Sequence, residues 1–245
     1  MSAPLLDVRG IGKRFGGVHA VRDLSFRLEQ GEILALLGPN GAGKTTAFNM
    51  IAGFFRPDGG EILFRGRDIA RLRPWDICKA GIARTFQLSK PFTDLTVVEN
   101  LMVGGFARSS DPAAIRERAE EIADFLGMGR QADTEVQHLT AFDRRKLELG
   151  RALSTRPVLL LMDEVVAGAT PAEGQEMVAL VRRIRDRGIT ILIVEHVMKV
   201  VMALSERVIV MESGRLIADG APKDVVSRPE VLKAYFGEQY AAARA

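Results

Sequence analysis

The chain has 245 residues, 47% of them hydrophobic and 27% charged, with a formal net charge of +3. That balance excludes a low-complexity polymer and fits one large domain, or one domain with a subdomain. The single cysteine, Cys78, excludes an intramolecular disulfide framework and suits a reducing compartment, and so mild a charge does not argue for nucleic acid.

The start, MSAPLLDVRG, has no basic segment followed by a long apolar one, so no signal peptide is expected. No apolar run reaches the roughly 18 residues of a membrane-spanning helix. The first part of the chain reads as strands and tight turns. EILALLG at 32–38 is an apolar run ending in Gly, as in a buried strand. GGEILFRGRDI at 59–69 alternates between turns and predicts an antiparallel strand and turn. From about Thr96 to Leu153 the pattern turns helical. Asp111 and Pro112 open a helix whose apolar positions Ile115, Ala119, Ile122, Ala123, Phe125 and Leu126 share a face, with Gly127 as its stop. Arg144 to Leu153 also reads as helix.

After Arg156–Pro157 alternation returns. A strand at 158–162 leads to a helix at about 171–187 and a strand at 190–195. A helix at 197–204, a strand at 207–211 and a last strand near 216–219 follow. Strand and helix repeated with short joints predict a parallel sheet covered on both faces. The chain therefore reads as an α/β core, 1–87 and 156–245, interrupted by a helical insertion at 88–155.

The strand at 32–37 runs into GPNGAGKTT, which fits G-x-x-x-x-G-K-[ST] at Gly38, Gly43, Lys44 and Thr45. Glycines let the backbone wrap closely and aim several N–H groups at one anion. The next helix presents its positive end to the same anion. Lys44 supplies a charge for the β- and γ-phosphates, and Thr45 a hydroxyl for Mg²⁺. In VLLLMDEVVAG, at 158–168, an apolar strand ends in two carboxylates. An unpaired carboxylate in apolar surroundings is costly, so something positive belongs beside it. In a phosphate-loop layout a second strand ending in Asp lies beside the loop. Asp163 then holds the Mg²⁺ shell, and Glu164 polarises the attacking water.

With these motifs in order, the chain resembles the ATP-binding subunit of an ABC transporter along essentially its whole length. ARTFQ places Gln87 at the family's Q-loop. LTAFDRRKLELGRAL, at 139–153, stands where the signature segment and its helix lie. LLLMDE matches the second nucleotide-binding strand, and His196, in IVEHVM, matches the switch histidine. Phe15, in KRFGG, matches the aromatic that stacks on adenine. FFRPDGGEILFRGRDI, GIARTFQLSKPFTDLTVVENLMVG and VLKAYFGE look most like the ATPases of branched-chain amino acid and related amide or urea uptake. The ATPase of lipopolysaccharide export is a second similar group, and a non-transport ABC ATPase is the alternative class.

The resemblance implies a P-loop NTPase core with a mainly parallel central sheet, an N-terminal antiparallel β subdomain and an inserted α-helical subdomain. It implies ATP and Mg²⁺ as cofactors, with Phe15, Gly38, Asn40, Gly41, Ala42, Gly43, Lys44, Thr45 and Thr46 around the nucleotide. Thr45, Gln87 and Asp163 would serve the metal, and Lys44, Gln87, Glu164 and His196 the chemistry. It further implies separate permease subunits, a second ATPase subunit, no nucleic acid and no direct contact with solute. The location implied is cytoplasmic, peripheral on the inner face of the cell membrane.

Three departures stand out. The family's usual Leu-Ser-Gly-Gly-Gln reads here Leu139, Thr140, Ala141, Phe142, Asp143. Thr140 and Asp143 retain a helix N-cap pattern. Phe142 is expected to put a ring where a partner's γ-phosphate needs close approach. The loop after Glu164 lacks the usual Pro and Asp, reading Val165 and then Ala167, Gly168, Ala169, Thr170. An intact half for its own nucleotide and an altered half for the partner's suggest an asymmetric role.

Overall fold

The computed structural model describes residues 3–85 and 91–236. The chain opens with β1 (Leu6–Phe15), β2 (Val18–Leu28) and β3 (Ile33–Leu37), then α1 (Lys44–Ile51). β4 (Gly59–Phe64), β5 (Arg67–Asp68), α2 (Pro74–Ala80) and β6 (Ile82–Arg84) follow. Three helices come next: α3 (Val97–Gly105), α4 (Pro112–Phe125) and α5 (Ala141–Ser154). The chain then alternates through β7 (Leu159–Asp163), α6 (Pro171–Asp186), β8 (Thr190–Val194), α7 (Met198–Leu204), β9 (Arg207–Glu212) and β10 (Arg215–Gly220). It closes with α8 (Pro222–Val225) and α9 (Pro229–Phe236).

Two sheets form. The first is antiparallel, in the order β2-β1-β4-β5. The second is six-stranded, in the order β10-β9-β3-β8-β7-β6, parallel except for β10. The mainly parallel sheet and the antiparallel N-terminal sheet are those the sequence pattern and the resemblance predict. β7, which carries the paired acids, is separated from β3 by β8, and the acids and the phosphate loop lie at the C-terminal ends of these three consecutive strands.

The period-2 pattern decides which face each side chain takes. Leu34, Leu36, Leu159, Leu161, Leu192, Val194, Ile209 and Met211 face one core, shared with α1 and the antiparallel sheet. Ile33, Ala35, Leu37, Leu160, Met162, Ile191, Ile193, Val208 and Val210 face the other, shared with α3 to α7. A strand buried on both faces needs a continuous apolar run, and 33–37, 159–162 and 191–194 supply one each. The α4 face foreseen from helical spacing is buried at Ile115, Ala119, Ile122 and Ala123, and Asp111 caps the helix through the N–H of Ala113 at 3.0 Å. Thr96 opens α3 with a reciprocal capping box to Glu99. Among the described residues no helix is long and apolar enough to cross a membrane.

Candidate functional site

The C-terminal ends of β3, β7 and β8 converge on one place. β3 delivers the loop 38–43, which closes on α1. The Lys44 ammonium lies over that loop and donates to the carbonyls of Gly38 at 2.7 Å and Pro39 at 3.0 Å. Ala42 is tied on both sides: its N–H donates to Pro39 O at 3.2 Å, and its carbonyl accepts the N–H of Gly214 at 3.0 Å. Gly38 and Gly43 are required by space as well as by backbone. Their φ values are 146° and 100°, and a Cβ would collide with the carbonyl oxygens of Met211 and Ala20, respectively. Asn40, Gly41 and Thr45 are exposed on the rim, and Thr46 is half-buried behind them.

β7 ends in Asp163, which is buried, and Glu164, which is half-buried. Glu164 takes the left-handed conformation, φ 49°, and its N–H donates to Val194 O at 2.9 Å. That backbone is unfavourable for a residue with a side chain, by about 1–3 kcal/mol. Its effect is to swing the Glu164 carboxylate away from the line of the strand. There Oε1 comes to 3.6 Å from Nδ1 of His196, an exposed residue two positions beyond β8.

Charge is arranged around this group. Burial lowers the Lys44 pKa, against the pull of Glu164 and then Asp163. Burial raises the Asp163 pKa, Arg84 opposes it, and the neighbouring Glu164 adds to it. Arg84, the last residue of β6, approaches Asp163 Oδ2 through Nη2 at 3.4 Å. It also donates to the Asn49 side chain and packs over the rings of Phe48 and Phe54. Its own pKa is lowered by burial, against the attraction of Asp163. Sequence reasoning missed Arg84, although it stands in the quoted ARTFQ. An arginine directly inside an apolar strand end was the available signal. Tyr235 on α9 was missed too. Its hydroxyl accepts the N–H of Gly38 at 2.7 Å, across 197 residues of sequence.

Phe15, at the end of β1, is 43% exposed and meets Phe55 edge to face at 5.2 Å. A plain core role is thereby excluded for it. Gln87 lies outside the described residues. The signature segment does not join the loop in its own chain: no hydrogen bond or ion pair among the described residues links 140–143 to 38–46. Thr140 caps α5, accepting the N–H of Asp143 at 3.0 Å and donating its hydroxyl to Asp143 Oδ2 at 2.8 Å. Lys146 pairs with Asp143 at 3.0 Å and with Glu176 of α6 at 3.2 Å. Ala141 is exposed.

Phe142 corrects an expectation. Its side chain is buried, 7% exposed, in the core shared with α3 to α7, and Lys146 stands over its ring at 5.1 Å. The ring points inward because the first turn of α5 needs an apolar anchor there. It does not stand on the surface a partner would approach.

Comparison with known proteins adds a further line of observation. The model of the ABC transporter family matches residues 21–167, and that of the branched-chain amino acid ATP-binding cassette transporter matches residues 215–241. The chain is 39% identical to the high-affinity branched-chain amino acid transport ATP-binding protein LivG of Salmonella typhimurium, over 97% of this chain and 100% of that protein. It is 37% identical to the corresponding protein BraF of Pseudomonas aeruginosa, with the same coverage. Among solved structures, it is similar to the ADP conformation of an ATP-binding cassette of an ABC transporter. The TM-score is 0.88 and the identity 32%, over 97% of this chain and 100% of that one.

Proposed function

The chain belongs to the ABC transporter family, as an ATP-binding subunit whose ATP hydrolysis is coupled to transport, and from that premise we infer that it energises the uptake of branched-chain amino acids. One observation carries the assignment of the site: the loop with Lys44, the acids Asp163 and Glu164, and His196 meet at the ends of three strands that are neighbours in the sheet. The match over 215–241 supports the choice of solute class.

The loop N–H groups from Asn40 to Thr46 and the N-terminus of α1 bind the phosphates. Lys44 turns from the loop's carbonyls to the β- and γ-phosphates, and Phe15 offers its exposed ring to the adenine. Glu164 accepts a hydrogen bond from the attacking water and orients it in line with the γ-phosphate. His196, beside Glu164, donates to the γ-phosphate and loses that partner when phosphate departs.

The donor set suits Mg²⁺, a hard cation that takes one or two carboxylates together with phosphate oxygens. Asp163 and Thr45 supply oxygens, and the guanidinium 3.4 Å from Asp163 shows that this carboxylate accommodates a positive charge. When bound, Mg²⁺ would supply positive charge that offsets the charge of the phosphates. Gln87 is assigned to the same shell by resemblance alone.

Residues 88–155 form the helical subdomain on this reading, with 1–87 and 156–245 as the nucleotide-binding core. Phe54, Phe92 and Val103 expose apolar surface near the junction of the two. That surface is where separate permease subunits would dock, holding the protein on the inner face of the membrane. A second ATPase subunit completes the nucleotide sandwich. Two ATP molecules then bridge the halves, and hydrolysis removes the bridge.

The test is Glu164→Gln against the parent. The variant keeps its MgATP affinity and loses about 10²-fold or more in turnover, the usual contribution of a positioned base. Unchanged turnover would reject the assignment. Leucine uptake by vesicles holding the cognate permeases tests the solute class.

A further inference from the structure

One buried acid at the site has no part in the scheme above. Glu195, between the end of β8 and His196, is 1% exposed. Its Oε1 accepts the N–H of Val166 at 3.3 Å, and its Oε2 accepts those of His196 at 3.1 Å and Val197 at 3.3 Å. Among the described residues it forms no ion pair with a lysine or arginine. A carboxylate withdrawn so far from water is unfavourable unless its oxygens are bonded. Burial pushes its pKa up, and the backbone donors of Val166, Val197 and His196 oppose the shift.

The donors come from two different segments. Val166 belongs to the turn that leaves Glu164, in which Ala167 N–H donates to Glu164 O at 3.2 Å and Ala169 N–H to Val166 O at 3.0 Å. His196 and Val197 belong to the loop that enters α7. Among the described residues, Glu164 and His196 face each other across these segments, 3.6 Å apart. An apolar side chain at 195 would leave the backbone donors without acceptors. The carboxylate assigns one oxygen to each segment, Oε1 to the turn and Oε2 to the loop.

We propose that Glu195 is a positioning residue for ATP hydrolysis: its carboxylate clips the turn carrying Glu164 to the loop carrying His196 and so sets the spacing of those two groups about the γ-phosphate. The proposal rests on the assignment of Glu164 and His196 made above. It separates two properties. The phosphate loop has no bond to Glu195 among the described residues, so nucleotide affinity is independent of the clip, while turnover depends on it.

The experiment is a double-mutant cycle on the full chain, with Glu195→Ala and Glu195→Gln each made in the parent and in the His196→Ala background. Turnover, KM for MgATP and melting temperature are measured for all. Glu195→Ala is expected to lower kcat about tenfold or more, since displacement of a catalytic group by an ångström costs on this scale. KM stays within about twofold, and Glu195→Gln, which retains one acceptor oxygen, falls between the two. In the His196→Ala background the further loss shrinks to less than about twofold, because the clip no longer has both ends to align. Glu195→Gln carries the same comparison if Glu195→Ala does not fold. A loss confined to KM, an equal loss in both backgrounds, or no loss at all would overturn the proposal. Parent-like turnover in Glu164→Gln and His196→Ala would instead remove the assignment beneath it.

Discussion

Tyr235→Phe isolates one hydrogen bond of the phosphate loop. The change keeps the ring and deletes only the hydroxyl that accepts the Gly38 N–H at 2.7 Å. Gly38 is buried at the end of β3, with no room beside it for a substitute group, because the Met211 carbonyl already fills the place of a Cβ. The N–H is therefore left without an acceptor. An unsatisfied buried donor costs about 1–3 kcal/mol, and a value near 1–2 kcal/mol suits a half-buried partner such as Tyr235. For a domain of this size each kcal/mol lowers the melting temperature by about 2–4 °C, so a fall of roughly 2–8 °C is expected. Differential scanning calorimetry of parent and variant without nucleotide measures it. The same loss, expressed in loop order, weakens ATP by up to about tenfold in a titration. A melting temperature within about 1 °C of the parent would refute the reasoning, since it would mean that the loop does not need α9.

Phe142→Ala is expected to destabilise the fold by about 3–5 kcal/mol, the usual cost of emptying a buried phenylalanine site, and not to ease association with a second subunit. A chemical denaturation midpoint equal to the parent's would contradict the buried placement. Asp143→Asn tests the cap of α5 through pH. Burial pushes Asp143 up, but the bonds from Lys146, Thr140 and Gln131 outweigh it and hold its pKa below the usual range. A depressed acid stabilises the fold above its unfolded pKa and loses that contribution as pH falls through its folded one. The variant should thus be less stable by up to about 1 kcal/mol at neutral pH, with the gap closing in acid. A gap that stays constant from pH 7 down to about pH 3 would refute the sign.

Local pattern carried most of the architecture. Continuous apolar runs gave β3, β7 and β8, helical spacing gave α4 to α6, and the spacing of Gly38, Gly43 and Lys44 marked the loop. These are features of short windows, where the period of burial is written directly in the side chains. Strand order was less legible. The interposition of β8 between β3 and β7 depends on which crossovers pack best, and no window of sequence contains that. Phe142 misled for a related reason: residue type at a familiar position was read as surface, whereas the direction of the side chain follows from the helix it starts. Tyr235 and Glu195 were illegible because each acts through backbone N–H groups, which have no sequence identity, whereas Arg84 left a signal, a lone cation in an apolar strand end, whose partner Asp163 lies far along the chain. The short elements α2, α8 and α9 lack the length over which periodicity can declare itself.

The left-handed backbone at Glu164 has a consequence for engineering. Glycine would rest more comfortably at that φ of 49° than any side chain does. Selection for heat resistance alone would consequently reward losing the very group on which turnover depends. Libraries that vary the end of β7 should be screened on hydrolysis and heat tolerance together, because at this single position the two demands point in opposite directions.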